Sequence, residues 1–143
     1  MLKSDYQGQD CSIARTLEIV GERWTLLIVR DALRGVRRFD DFQEGLGVSR
    51  NVLAERLARL VEAGVLERVR YQERPERFEY VLTPKGRELR LALAALRQWG
   101  DEHVSHHPTA TLRTKIEGRP VVAALVADDG SRYGVDDVEL APA

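Results

Sequence analysis

Arg50 and Asn51 sit at the start of an amphipathic run that continues to Glu62, directly behind a serine at position 49. Those residue types in that place carry a particular chemistry. A guanidinium is a bidentate donor suited to guanine or phosphate, and a carboxamide matches the adenine edge. Each such pairing is worth roughly 1–3 kcal/mol of base discrimination. Glu55, a turn further on, could accept from cytosine or orient an arginine. Arg56 and Arg59 suit phosphate contact or intrahelical pairing with Glu55 and Glu62. The plain alternative for all of them is a solvated helix face. Two further basic pairs stand near by in sequence. Arg37 and Arg38 precede Phe39, where they could touch a nucleic-acid backbone. Arg74 and Arg77 belong to an all-polar loop, partly neutralised by Glu73 and Glu76.

Cys11 is the one cysteine, so an intrachain disulfide and a thiolate-cluster metal site are both excluded. Asp10 can cap a helix that begins at Cys11. A thiol at a helix N-terminus feels the positive end of the dipole, which favours thiolate, while the Asp10 charge opposes it. His103, His106 and His107 cluster with Asp101 and Glu102. They could ligate a metal, but polar residues ending a helix account for them better, and neither metal nor cofactor is expected. No Gly-rich phosphate loop, Ser/His/Asp arrangement or paired-carboxylate pattern is present, so nothing points to an enzyme.

Positioning these residues requires a set of small elements. Ile13, Leu17 and Val20 share one face of a first helix ended by Gly21. Trp24 to Leu33 is apolar around nearly its whole circumference, which predicts a buried helix at the centre of the core. Phe39, Phe42 and Leu46 recur on a third helix, and Gly47-Val48 leads to Ser49. Ser49 is placed to cap the next helix, so that its hydroxyl accepts from an amide of the first turn. Leu53, Leu57, Leu60 and Val61 form that helix's buried face, and Gly64 can close it in the left-handed conformation. Two helices joined by a tight glycine-containing turn, the second with polar residues at its start, match the helix-turn-helix pattern.

Alternation over Leu66–Tyr71 and again over Phe78–Thr83 predicts a hairpin with Gln72–Arg77 as its loop. Thr83-Pro84 caps and opens a long helix. Leu89, Ala92, Leu93, Leu96 and Trp99 stripe that helix with more apolar surface than a small domain needs, which suggests a partner. From residue 109 the character changes. Leu112, Thr114 and Ile116 alternate, Val121 to Val126 is apolar, and Asp128-Asp129-Gly130-Ser131 is a hairpin turn. The expected fold is therefore mainly α with a small β-hairpin wing, a winged helix-turn-helix, plus a short C-terminal β extension. Residues 1–10 form a flexible N-terminus, 11–108 the winged-helix domain, and 109–143 the extension.

A chain of 143 residues at 43% hydrophobic and 31% charged is ordinary for a soluble domain that needs no disulfide or metal for its core. The net charge of −1 counts weakly against nucleic acid, so the placement of basic residues has to carry that argument. No secretory h-region and no membrane-spanning run is visible, and the reading is a cytoplasmic protein with no membrane partner.

The wording of several segments resembles one family. Cys11 with the helix after it, Gly21-Glu22-Arg23-Trp24-Thr25-Leu26-Leu27-Ile28, Arg38-Phe39-Asp40-Asp41-Phe42, Leu53-Ala54-Glu55-Arg56-Leu57, Glu62-Ala63-Gly64-Val65-Leu66-Glu67-Arg68 and Tyr80-Val81-Leu82-Thr83-Pro84-Lys85-Gly86 together resemble the HxlR family of bacterial regulators over about residues 11–104. Their order and spacing carry the likeness; Leu-Thr-Pro-x-Gly alone also occurs among multiple-antibiotic-resistance regulators. The resemblance implies a homodimer that binds double-stranded DNA at a palindromic operator, most often as a repressor. It implies DNA contacts from Arg38, Ser49, Arg50, Asn51, Glu55, Arg56, Arg59, Arg74 and Arg77. It implies a dimer interface on the first helix and the helix after the wing, here Ile13, Leu17, Leu89, Leu93, Leu96 and Trp99. Several members sense electrophiles or oxidants through a single cysteine at the start of the first helix, which matches Cys11, and others respond to metabolites or have no known signal. The C-terminal cysteine pairs that could bind zinc in some relatives are missing here. Two rivals stand beside this reading: a regulator of the same fold gated by a small-molecule inducer in the dimer interface, and a winged-helix module that binds proteins.

Overall fold

The computed structural model describes residues 5–142 and divides into two compact units, one running to Arg90 and one from Leu91 on. The first unit contains helices α1 (Ser12–Val20), α2 (Thr25–Leu33), α3 (Phe39–Leu46) and α4 (Arg50–Glu62). The antiparallel strands β1 (Leu66–Glu73) and β2 (Glu76–Leu82) follow, then a single helical turn, α5 (Pro84–Arg87). Ile28, Val29, Phe42, Leu53, Leu57, Leu60 and Leu66 are essentially inaccessible to solvent and form the core. The helical periodicity of α4 thus buries the leucines expected of it.

Helix ends follow local chemistry, with corrections. Ser49 caps α4 as expected, its Oγ accepting the Val52 N–H at 3.3 Å. The other end of α4 is a Schellman closure: Gly64 has φ +73°, its N–H donates to Val61, and the Val65 N–H reaches back to the Leu60 carbonyl at 2.9 Å. α1 begins at Ser12 rather than Cys11, and Asp10 does not cap it. The Asp10 carboxylate pairs with Arg15 at 3.0 Å instead, and Cys11 occupies the cap position without a side-chain bond. Gly21 ends α1 in a right-handed conformation. Glycine is needed there because a Cβ would lie 2.4 Å from the Leu17 carbonyl oxygen.

α2 departs from the expected all-buried helix. Ile28 and Val29 are fully buried, but Leu27 is 38% exposed, so the helix shows one apolar edge to solvent. Trp24 precedes it at φ +81°, an unusual backbone region for a bulky residue. The expected flexible start falls partly on residues 1–4, outside the described residues. Within the described part, the Tyr6 N–H donates to the Glu18 carboxylate at 3.1 Å.

The hairpin is tighter than its sequence suggests. The strands pair out to Glu73 and Glu76, leaving only Arg74 and Pro75 in the turn, joined by a cis peptide, and placing Arg77 in β2. Tyr71 is an extra residue between the Arg70–Phe78 and Gln72–Arg77 pairs, a bulge that reverses the side-chain parity of the strand end. The long helix expected from Pro84 is also broken: α5 ends at Arg87, and α6 (Leu89–His103) starts after Glu88.

α6, nearly all of it in the second unit, buries none of its residues. Leu91, Leu96 and Trp99 are 71%, 54% and 61% exposed. Gln98 pairs by both amide atoms with the Ala123 backbone, at 3.1 and 3.2 Å, and Asp101 accepts the Thr109 N–H and hydroxyl. The alternation at 112–116 makes only a bridge, Arg113 with Pro120, and Ile116 is solvent-exposed. The predicted turn does form a hairpin, β3 (Leu125–Val126) with β4 (Arg132–Tyr133), and Gly130 takes φ +87°. The Asp129 carboxylate accepts the Ser131 N–H at 2.8 Å, which holds it below the usual carboxylate range. Among the described residues no helix is long and apolar enough to cross a membrane.

Candidate nucleic-acid interface

The α3–turn–α4 pair presents the first turn of α4 outward. Gly47 closes α3 at φ +67°, and Val48 is buried, so the link to Ser49 is short and anchored. Leu53 and Leu57 face the core, which turns Asn51, Ala54 and Glu55 to the exposed side, while Arg50, on the leucine face, is exposed because it opens the helix. Arg50 does not wander. Its Nη1 donates to Asp40 Oδ1 and Gln43 Oε1, each at 3.1 Å, and its guanidinium stacks over the Phe39 ring at 4.6 Å.

The wing supplies the opposite wall. The Tyr80 N–H donates to the Arg37 carbonyl at 2.7 Å, tying β2 to the segment before α3. Arg38 lies over the ring of the bulged Tyr71 at 4.6 Å and 3.9 Å from Glu79. Arg68 stacks on Phe78 at 3.7 Å. Between these walls is an open cleft of about 500 Å³ lined by Arg38, Arg50, Arg68 and Arg77, with Asp40, Asp41 and Glu76 as the acidic members. Four guanidiniums against three carboxylates leave a small positive excess. Arg38, Arg50 and Arg68 rest on aromatic rings, which orients them, and Arg50 is in addition paired with Asp40.

Of the expected DNA-contact residues, the structure brings Arg38, Arg50 and Arg77 to this cleft. Asn51 and Glu55 are exposed on the same helix, and Arg74 occupies the wing tip. The Ser49 hydroxyl is engaged as a cap. Arg56 and Arg59 go elsewhere. Both pair with Glu22 in the turn between α1 and α2; Arg56 also meets its helical neighbour Glu55 at 3.0 Å, and Arg59 does not pair with Glu62 as expected. Arg68 and Tyr71 were not foreseen as cleft residues. Strand alternation could have flagged Arg68, but the bulge that turns Tyr71 toward Arg38 leaves no mark in the sequence.

Cys11 is exposed. Ile13 and Leu17 are exposed on α1 at 66% and 38%, and Leu89 and Leu93 are half-buried on α6. His103 packs on Trp99 with ring centroids 5.1 Å apart, and among the described residues no three His, Cys, Asp or Glu side chains converge as a metal site.

Helices packed around a helix-turn-helix, with a two-stranded wing beside the second helix, define a winged-helix transcription regulator. The chain belongs to the HxlR-like helix-turn-helix family, whose sequence model matches residues 19–108. It is 50% identical over 103 residues to the uncharacterized HTH-type transcriptional regulator Rv3095 of Mycobacterium tuberculosis, spanning 72% of this chain and 64% of that one. The match thus reaches somewhat less than two thirds of the length of the mycobacterial relatives. The fold is similar to the crystal structure of PA1607, a proposed transcription factor, with TM-score 0.81, 39% identity, and coverage of 94% and 96% of the two chains. It is also similar to the reduced form of the transcriptional regulator YodB from Bacillus subtilis, with TM-score 0.59, 29% identity, and coverage of 68% and 98%. The first of these alignments runs into the C-terminal extension, whereas the second accounts for nearly all of YodB with about two thirds of this chain.

Proposed function

We propose that this chain is a homodimeric, sequence-specific DNA-binding regulator that represses transcription from a palindromic operator in the bacterial cytoplasm. The observation that carries the reading is the first turn of α4. Arg50 and Asn51 stand exposed beside a cleft of oriented guanidiniums. In this reading α4 enters the major groove, Asn51 and Arg50 address base edges, and Arg38, Arg68, Arg74 and Arg77 hold phosphates. A homodimer is supported by the apolar side chains that α1 and α6 leave in solvent, Ile13, Leu17, Leu96 and Trp99. Its two-fold axis would be mirrored in the operator.

Cys11 is the proposed sensor. It is exposed, at the cap position of α1. HypR, a redox regulator solved in its oxidized form, shares this fold at 26% identity and TM-score 0.60. A peroxide would oxidise the thiolate to a sulfenic acid, and this would condense with a thiol with loss of water, either a small thiol or Cys11 of the second copy.

The decisive experiment is selection of duplexes from random sequence, then fluorescence anisotropy against salt with reduced protein, oxidised protein and Cys11→Ser. Palindromic, salt-steep binding that oxidation abolishes in wild type alone supports the whole reading. Oxidation that abolishes binding by Cys11→Ser as well removes the sensor role. Weak binding without salt dependence would favour the protein-binding rival. A second reading, gating by a small molecule, is favoured by the cleft of about 500 Å³ within the second unit, lined by Arg97, Gln98, His106 and Leu112. A thermal shift with a metabolite but not with oxidant would select it.

A further inference from the structure

We infer that Glu22 is a specificity-determining residue: it holds Arg56 and Arg59 off the DNA, so that phosphate attraction is confined to the cleft between α3, α4 and the wing. The inference rests on the DNA-binding reading above.

Three arginines lie on the exposed and flanking faces of α4. Arg50 is at the first turn. The other two are drawn the opposite way. Glu22 Oε2 is 2.7 Å from Arg56 Nη1, and its Oε1 accepts from Arg59 Nη1. Each guanidinium has a second anchor in the same corner. Arg56 Nε donates to the Arg23 carbonyl at 3.1 Å, and Arg59 Nη2 donates to the Glu18 carbonyl at 2.8 Å. Glu22 and two carbonyls therefore hold two cations, with Glu55 a further partner of Arg56 at 3.0 Å. The Arg56 side chain is only 15% exposed, and Arg59 is 44% exposed.

An isolated surface ion pair of long side chains is weak and would not hold an arginine away from a phosphate. This one is a network whose acceptors are fixed. Gly21 admits no Cβ, the Thr25 N–H donates to the Glu22 carbonyl at 3.1 Å, and Trp24 is held at φ +81°. Charge-assisted bonds on a preset frame give the arginines a defined competing partner.

The consequence concerns selectivity. Each arginine that reaches a B-DNA phosphate adds about 0.9 to the slope of log affinity against log salt, and it does so at every sequence. Two freed arginines on α4 would strengthen binding to any duplex and dilute the contribution of base contacts. Glu22 shares its one negative charge between the two arginines, Glu55 adds a second beside Arg56, and Arg50, whose own pair with Asp40 lies in the exposed cleft, is left as the cation of α4 that faces the groove.

The test uses the full chain, the best duplex from the random-sequence selection and a scrambled duplex of equal composition. Glu22→Gln should steepen the salt slope by about 1–2 and tighten scrambled-DNA binding on the order of three- to tenfold, so the selected-to-scrambled ratio falls. Adding Arg59→Gln to that variant should return about half of the change. If Glu22→Gln weakens both duplexes alike, with a lower Tm and an unchanged slope, the residue merely supports the fold and the inference fails. Arg59→Gln alone does not depend on how Glu22→Gln folds. It should leave slope and ratio unchanged, and a slope lower by about 1 would overturn the inference, because Arg59 would already be on a phosphate. Wild-type protein without salt-steep binding overturns the regulator reading itself, a result that needs no variant.

Discussion

The Thr83 hydroxyl donates to the Gly64 carbonyl at 2.6 Å, and the same oxygen accepts the Gly86 N–H at 3.0 Å. Thr83 thus joins the end of α4 to the start of α5. Its neighbours finish the joint: Lys85 Nζ donates to the Ala63 carbonyl at 2.6 Å, a cation at a helix C-terminus. Thr83→Val leaves a donor and an acceptor without partners, at a cost of about 1–3 kcal/mol. Thr83→Ser keeps both bonds and should fall within a few tenths of a kcal/mol to about 1 kcal/mol of wild type. Denaturant unfolding of the pair measures the difference.

Gly86 and Gly100 make a matched test of why glycine is present. A Cβ at Gly86 would stand 2.1 Å from the Val65 carbonyl oxygen, whereas one at Gly100 meets nothing within 4 Å. Gly86→Ala should destabilise by about 1–3 kcal/mol or more, since backbone must move. Gly100→Ala, inside α6, should stabilise by roughly 0.5–1 kcal/mol. Thermal melts followed by circular dichroism should separate the two in opposite directions.

Leu96 is 54% exposed on a helix with no buried residue. If the apolar stripes of α1 and α6 close a homodimer, Leu96→Glu should convert the protein to monomer in sedimentation equilibrium. Its operator affinity should then drop at least tenfold, about 1.4 kcal/mol. An unchanged mass would send the dimer interface elsewhere.

Base and phosphate contacts should separate by their salt behaviour. Asn51→Ala should cost about 1–3 kcal/mol on the selected duplex, relax preference at one base pair and leave the salt slope alone. Arg77→Ala should weaken all duplexes and lower the slope by about 0.9. Anisotropy titrations at several salt concentrations read both effects.

Much of this was legible in advance because it is local. The Ser49 cap, the Gly64 closure, the span of α3 and the turn at Asp129-Gly130 each depend on a few adjacent residues whose side chains or φ angles decide the geometry. The expectations that failed were of another kind. Asp10 found a partner one turn on, at Arg15, and the hairpin paired beyond its aromatic residues to Glu73 and Glu76. The helix after Thr83 broke at Glu88, although its composition favours continuation.

The sequence by itself determined the element order, the buried leucine face of α4, the exposure of Asn51 and the place of Arg50 in the first turn, because helical periodicity and capping act within a single segment. Only the tertiary structure decided where the other arginines of α4 go. Glu22 stands 34 and 37 positions before Arg56 and Arg59 in the chain. No periodicity links residues so far apart; their meeting depends on how α1, α2 and α4 pack. The same holds for the bulge that brings Tyr71 under Arg38. A long-range ion pair is a property of packing, and these arginines could be read as pairing across to another element only once the packing was known.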